Sequence, residues 1–239
     1  MADFDPSLLT YVANAGYDGA AQFDSLCAGI FTGASLSQAR AEISSWEGYA
    51  PTPLISLAGL ARQLNVAEVL YKDEAGRFGL DSFKSLGGAY AVYRILSERV
   101  AQAGGPKNPT VQELNDGTFA KETRGLTMAC ATDGNHGRSV AWGAMRMGCR
   151  CVVYVHAAVS EGRVTALKAL GATVVRVPDN YDATVRQCTL DADSNGWSVV
   201  SDTAWEGYST IPADVMNGYS LVPAEVVDEL GDRPPSHVF

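Results

Sequence analysis

Residues 126–203 alternate short apolar runs with amphipathic stretches of helical length, and this alternation restricts the fold more than any other feature of the chain. Residues 126–132 form an apolar, strand-like run, and a helical stretch follows over 137–147 with Gly148 placed as its C′ residue. Residues 149–156 read as a second buried strand, rich in Val and Tyr. Ser160 is placed to cap a helix with Val164, Leu167 and Leu170 on its apolar face, ending at Gly171. Residues 173–177 are strand-like again. Asp182 is placed to cap a third helix to about residue 192, and 198–201 begin a fourth strand. Strands alternating with helices of this length predict an α/β fold with parallel sheet flanked by crossover helices.

The flanks are less regular. Residues 66–72 read as a strand, and 84–100 as a helix carrying Ala89, Val92, Tyr93, Leu96 and Val100 on one face. Residues 103–125 contain Gly104-Gly105-Pro106, Pro109 and Gly117 and read as a surface loop. A helical pattern over 219–230 stops at Gly231, and residues 236–239 read as a strand that has only begun. That ending predicts either the N-terminal part of a longer protein or a truncated gene product.

Composition excludes some classes of function. A formal charge of −9 argues against a general nucleic-acid surface, which needs clustered Lys and Arg. No window approaches the roughly 18 consecutive apolar residues of a membrane span, and residues 1–5 lack the basic start of a signal peptide. Five cysteines (27, 130, 149, 151 and 188), an odd number with no C-x-x-C pair, predict reduced thiols in a cytoplasmic protein. Cys149 and Cys151 lie two apart in a strand pattern and are expected to pack on one face. No cluster of His or Cys suggests a metal.

Three short constellations carry chemistry. Lys84 follows Phe83 and opens an apolar helix, where partial desolvation would favour the neutral, nucleophilic amine; Gly87 and Gly88 would admit another backbone or a flat ring. On spacing alone, Ser82-Phe83-Lys84 reads as a solvated lysine near a helix start. Thr132-Asp133-Gly134-Asn135-His136-Gly137 sits where a strand feeds a helix, so its exposed N–H groups suit a carboxylate or phosphate. Asp133 and Asn135 would equally serve as turn and cap residues. Asp202 lies just past the fourth strand, at the sheet's carboxyl edge where open parallel sheets bind ligands, and so does Asp133. As a helix cap Asp202 would need no further role.

Together these residues resemble the pyridoxal-phosphate-dependent tryptophan-synthase-like (fold type II) family. The Ser-Phe-Lys lysine and the Thr-x-Gly-Asn-His loop mark the broad family. The run from Phe78 to Lys84, the acid at Asp133, and Asp202-Thr203-Ala204-Trp205-Glu206-Gly207-Tyr208 are similar to its diaminopropionate ammonia-lyase branch. The resemblance implies pyridoxal 5'-phosphate as cofactor, with Lys84 as the Schiff-base lysine, and Phe83 and Asn135 beside the cofactor. It also implies Thr132, Gly134 and His136 on the substrate carboxylate, and Asp133 and Asp202 as bases for the D- and L-isomers. The implied reaction converts 2,3-diaminopropionate, a small amino acid, to pyruvate and ammonia in a cytoplasmic homodimer. Partial burial is expected to raise both carboxylates' pKa. The resemblance further implies a small sheet domain over 88–202, with 1–87 and 203–239 in a larger cofactor-binding one. The family's glycine-rich phosphate loop would follow residue 239. Alternatives are a serine or threonine dehydratase, against which Asp133 counts, or a truncated and inactive chain. A dinucleotide-binding domain would need a G-x-G-x-x-G turn, which is absent.

Overall fold

The alternating run folds as four parallel strands, in a computed structural model that describes residues 29–239. Cys27 and the start at residues 1–5 lie outside the described residues. In chain order the first elements are α1 (Gly33–Ser44), β1 (Leu54–Ser56), α2 (Ala58–Leu64), β2 (Leu70–Lys72) and a 3-10 helix (Glu74–Gly79). Next come α3 (Lys84–Gln102), α4 (Val111–Asp116), α5 (Ala120–Thr123), β3 (Thr127–Ala131), α6 (Asn135–Arg146) and β4 (Arg150–His156). The chain continues with α7 (Glu161–Ala169), β5 (Thr173–Val177), α8 (Tyr181–Asn195), β6 (Ser198–Val199), α9 (Thr210–Tyr219) and α10 (Leu221–Leu230).

The main sheet has the order β5-β4-β3-β6, with every pair parallel. Its central strand β4 is buried on both faces: Cys151, Val153 and Val155 join the larger core, while Val152 and Tyr154 pack with Ala129, Cys188 and Ala192. This is why residues 150–156 read as a continuous apolar run rather than an alternating one. Each fully buried aliphatic side chain contributes about 1.5–3 kcal/mol. Cys149 and Cys151 pack against the same cluster, as their spacing suggested. The four described cysteines are free, and burial pushes the Cys130, Cys149, Cys151 and Cys188 thiols up.

Several boundaries differ from the sequence reading. Asn180, not Asp182, caps α8, its side chain accepting from the Ala183 N–H at 3.0 Å. The fourth strand stops at Val199. Residues 103–125 are not merely a loop: they hold α4 and α5, with Leu114 and Thr123 buried and a Thr110–Glu113 capping box. The pattern over 219–230 divides at Ser220 into α9 and α10. Residues 236–239 form no strand, because no strand among the described residues pairs with them, and Val238 and Phe239 are exposed. The strand read over 66–72 is only β2. It pairs antiparallel with β1, which three residues were too few to announce.

α3 is held at backbone distance on two sides. A methyl on Gly87 would lie 2.7 Å from the Val215 carbonyl of α9, and one on Gly88 would lie 2.5 Å from Ser139 Oγ of α6. These glycines admit both a neighbouring backbone and a flat ring, for a methyl on Gly87 would also lie 2.3 Å from the Tyr219 ring.

β2, the 3-10 helix and α10 meet in a buried ionic network. Arg77 donates to Glu225 at 2.7 and 2.8 Å and to Glu74 at 2.8 Å, while Lys72 reaches Glu225 at 2.6 Å. The Thr52 N–H and the Tyr49 hydroxyl complete the shell of Glu225. Burial alone would raise this carboxyl. Arg77 and Lys72 reverse the sign and hold it at about 2.

Candidate active site

A cleft of about 320 Å³ opens at the carboxyl ends of β3 and β6, lined by Lys84, Ala131, Thr132, Asp133, Gly134, Asn135, His136, Arg163, Tyr181 and Asp202. This is where a parallel sheet places ligands. The structure thus brings together Lys84, Thr132, Asp133, Gly134, Asn135, His136 and Asp202, but not Phe83, whose ring packs edge-on against Tyr219, 5.0 Å between centroids.

Lys84 is delivered by an unusual turn. Phe78 and Asp81 both take positive φ (51° and 56°), a backbone state that costs non-glycine residues of order 1–3 kcal/mol. Phe78 is anchored by Trp142 and Trp46, at 4.9 and 6.0 Å between centroids. α3 then begins at Lys84, whose ammonium lies 2.5 Å from Asp202 Oδ2.

The loop after β3 is tied down by Thr132, which is buried. Its N–H donates to the Tyr154 carbonyl at 3.0 Å, and its hydroxyl oxygen accepts from the N–H groups of Gly134 at 3.0 Å and Gly137 at 3.2 Å. A methyl on Gly137 would fall 2.4 Å from Thr132 Cγ2, so the closed loop requires glycine there. The Gly134 N–H, expected to hold a carboxylate, is therefore already committed. Those of Asn135 and His136, at the start of α6, have no protein acceptor and remain free for an anion.

His136 is buried, with Nε2 2.8 Å from the Val200 carbonyl and Nδ1 3.7 Å from Asp202 Oδ2. A carbonyl only accepts, so the ring proton resides on Nε2 and Nδ1 presents a lone pair. Burial lowers this histidine's pKa and keeps the ring neutral near pH 7. Its side chain thus offers the cleft an acceptor, and its donor toward a carboxylate is the backbone N–H. Nδ1 has no hydrogen-bond partner in the protein.

Asp202 corrects the expectation of a raised carboxyl. Burial does push it up, but the His136 ring and the Lys84 ammonium outweigh burial and hold it below the usual range. With His136 neutral, the ammonium is the charge that decides the sign. Asp133 is far more open, its side chain 62% exposed, with Oδ1 3.0 Å from His156 Nε2. Its carbonyl accepts from Arg163 at 3.0 Å. Burial, then Asp202 and Asp133, push the Tyr181 hydroxyl above its ordinary value, so it stays protonated.

The sequence reading missed Arg163, Tyr181 and His156. Their signal was positional: His156 ends β4, and Arg163 and Tyr181 occupy the first turns of the helices that follow β4 and β5. All three stand at the same carboxyl edge as Asp133.

The sequence profile of the pyridoxal-phosphate dependent enzymes matches residues 46–239. The chain belongs to this family. Among curated relatives, the diaminopropionate ammonia-lyase of Escherichia coli strain K12 is 43% identical over 159 residues, covering 66% of this chain and 38% of its own length. The matched stretch therefore covers well under half the length of that relative. The crystal structure of the E. coli enzyme in apo form superposes with a TM-score of 0.78 at 38% identity, over 87% of this chain and 55% of that one. The same enzyme in complex with D-serine gives a TM-score of 0.77 at 40% identity, over 84% of this chain and 50% of that one.

The cleft residues fit the family's cofactor. A primary amine reaches the cleft with its side chain 32% exposed, a carboxylate orients it, and an unpartnered buried acceptor, His136 Nδ1, faces the same space. An amide side chain and two free N–H groups complete a donor set suited to an aldehyde-bearing, polar aromatic ring and an amino-acid carboxylate.

Proposed function

We propose that this chain carries the lysine, anion loop and acids of a pyridoxal-phosphate-dependent ammonia-lyase that converts 2,3-diaminopropionate to pyruvate and ammonia. The observation that carries this reading is convergence. Lys84 and Asp202, 118 residues apart, meet beside the Thr132–His136 loop in one cleft. In this reading residues 88–202 form the small sheet domain, and 1–87 with 203–239 belong to the larger cofactor-binding one. The resemblance also carries a cytoplasmic homodimer, and buried reduced thiols agree with a reducing compartment.

The cofactor, held by Lys84 and flanked by Asn135, supplies an electron sink for the pair left at the substrate α-carbon. The chain's own residues do the rest. Asp202 orients the Lys84 nitrogen over 2.5 Å, and the amine attacks once its proton has left to solvent. The N–H groups of Asn135 and His136, with the Thr132 hydroxyl, orient the substrate carboxylate. Once the Lys84 nitrogen is engaged and uncharged, the charge that holds Asp202 low is gone. Burial then meets less opposition and the carboxyl rises from its resting position, making it a stronger base during turnover than at rest.

Two acids serve two faces. Asp133 takes the α-hydrogen of the D-isomer and Asp202 that of the L-isomer, because abstraction needs contact of about 2.6–3.2 Å and one fixed carboxylate cannot reach hydrogens that point to opposite sides of the substrate α-carbon. Two measurements test the proposal. Borohydride should fix the cofactor on the peptide containing Lys84, and label on Lys72 or Lys168 would refute it. Asp133→Asn should lower turnover of the D-isomer about 10²–10⁴-fold and spare the L-isomer, with Asp202→Asn the reverse. Equal loss on both isomers would leave a single base.

A further inference from the structure

His156 ends β4, and its Nε2 lies 3.0 Å from Asp133 Oδ1. Two residues on, the Ala158 N–H donates to His156 Nδ1 at 3.2 Å. Nδ1 must therefore present its lone pair, and the single proton of the neutral ring sits on Nε2, the nitrogen facing the carboxylate. From the first turn of α7, Arg163 holds the carbonyl of the same aspartate at 3.0 Å. Asp133 is thus approached at its side chain and at its backbone by the two elements that follow one another at the end of β4. Without such contacts, a carboxylate as open as this one would spread over several rotamers.

We propose that His156 is a positioning residue for Asp133: its Nε2–H fixes the carboxylate in the rotamer that reaches the substrate, and so sets the enzyme's capacity for the D-isomer. Arg163 supports the same geometry by immobilising the peptide unit. The inference rests on the reading of Asp133 as a base, and deepens it by naming what confers stereochemical preference. A base displaced by about 1 Å can lose on the order of 10²-fold in rate without losing affinity.

The test has two arms that fail separately. In the first, the nitrogen resonances of the imidazoles are recorded by long-range proton–nitrogen correlation on the chain labelled at histidine, with no cofactor added. His156 should appear as a single Nε2–H tautomer, and Asp133→Asn should shift that Nε2–H resonance. A ring averaging between tautomers, or a resonance unmoved in Asp133→Asn, overturns the contact. In the second arm, His156→Leu should lower kcat for the D-isomer about 10- to 100-fold with KM nearly unchanged and the L-isomer spared. His156→Gln, whose side-chain amide can place an N–H where Nε2–H was, should restore most of that loss. Equal loss on both isomers, or no rescue by glutamine, overturns the positioning role. If the unaltered protein turns over neither isomer, the lyase reading fails, and the spectrum alone decides whether His156 directs Asp133.

Discussion

Two lysine–carboxylate pairs in this protein have nearly the same length and opposite surroundings. Lys72 lies 2.6 Å from Glu225 and Lys84 lies 2.5 Å from Asp202. The first pair is sealed, with side chains 10% and 6% exposed. The second faces a cleft, at 32% and 24%. Glu225 spends its oxygens on Arg77, Lys72, Thr52 and Tyr49. Asp202 shares one oxygen with Lys84 and confronts the lone pair of His136. Saturation marks the first pair as architecture. Unspent valence beside open volume is what the proposed chemistry asks of the second.

The contrast can be broken most sharply by exchanging the lysines. Lys84→Met should abolish borohydride fixation of the cofactor. Lys72→Met should leave label on Lys84 in whatever fraction remains folded, and label lost equally in both would dissolve the distinction. Arg77→Met comes next in size. It leaves the buried Glu225 beside the partly buried Glu74 without their shared guanidinium, and should cost about 3–5 kcal/mol in denaturant unfolding. A loss below 1 kcal/mol would show that the network is solvated in solution.

Acid sharpens the comparison further. The Glu225 carboxyl is depressed from 4.5 to about 2 in the folded state. Its stabilisation is therefore fully present above about pH 4.5 and is lost as pH falls toward about 2, an effect on the order of 3 kcal/mol. Unfolding free energies measured between pH 6 and pH 2 (roughly the span of the two pKa values) should fall in the protein and stay flatter in Glu225→Gln. The smallest effect belongs to the cleft: Asp202→Asn should change stability by no more than about 1 kcal/mol, because its pair is open to solvent. A large destabilisation there would move Asp202 into the architectural class.

What the sequence could disclose follows the same division. β3, β4 and β5, with the helices between them, were legible because each element declares itself over a few residues by period and by a glycine stop. Lys84, Asp133, Asn135 and Asp202 were legible as turn residues at strand ends and helix starts. The Arg77–Glu225 contact spans 148 residues, and nothing local to either residue announces it. The sign of the Asp202 shift was misread for the same reason: burial is foreseeable from its place beside a sheet, but an ammonium 118 residues away is not. His156 was hidden by its strand, where a histidine at the last position reads as an edge of the core.

The crossing of α3 with its neighbours has a mechanical consequence. A methyl at Gly218 of α9 would lie 2.8 Å from Gly87 Cα, and one at Gly143 of α6 would lie 2.8 Å from Ala89 Cα. The three helices therefore touch through main chain at these positions, with little slack to absorb displacement. Lys84 stands one turn from this junction, at the short end of a stiff lever whose fulcrum is Gly87. Thickening the fulcrum by a single carbon must tilt the lever, and the amine would swing away from Asp202 although neither residue had been altered.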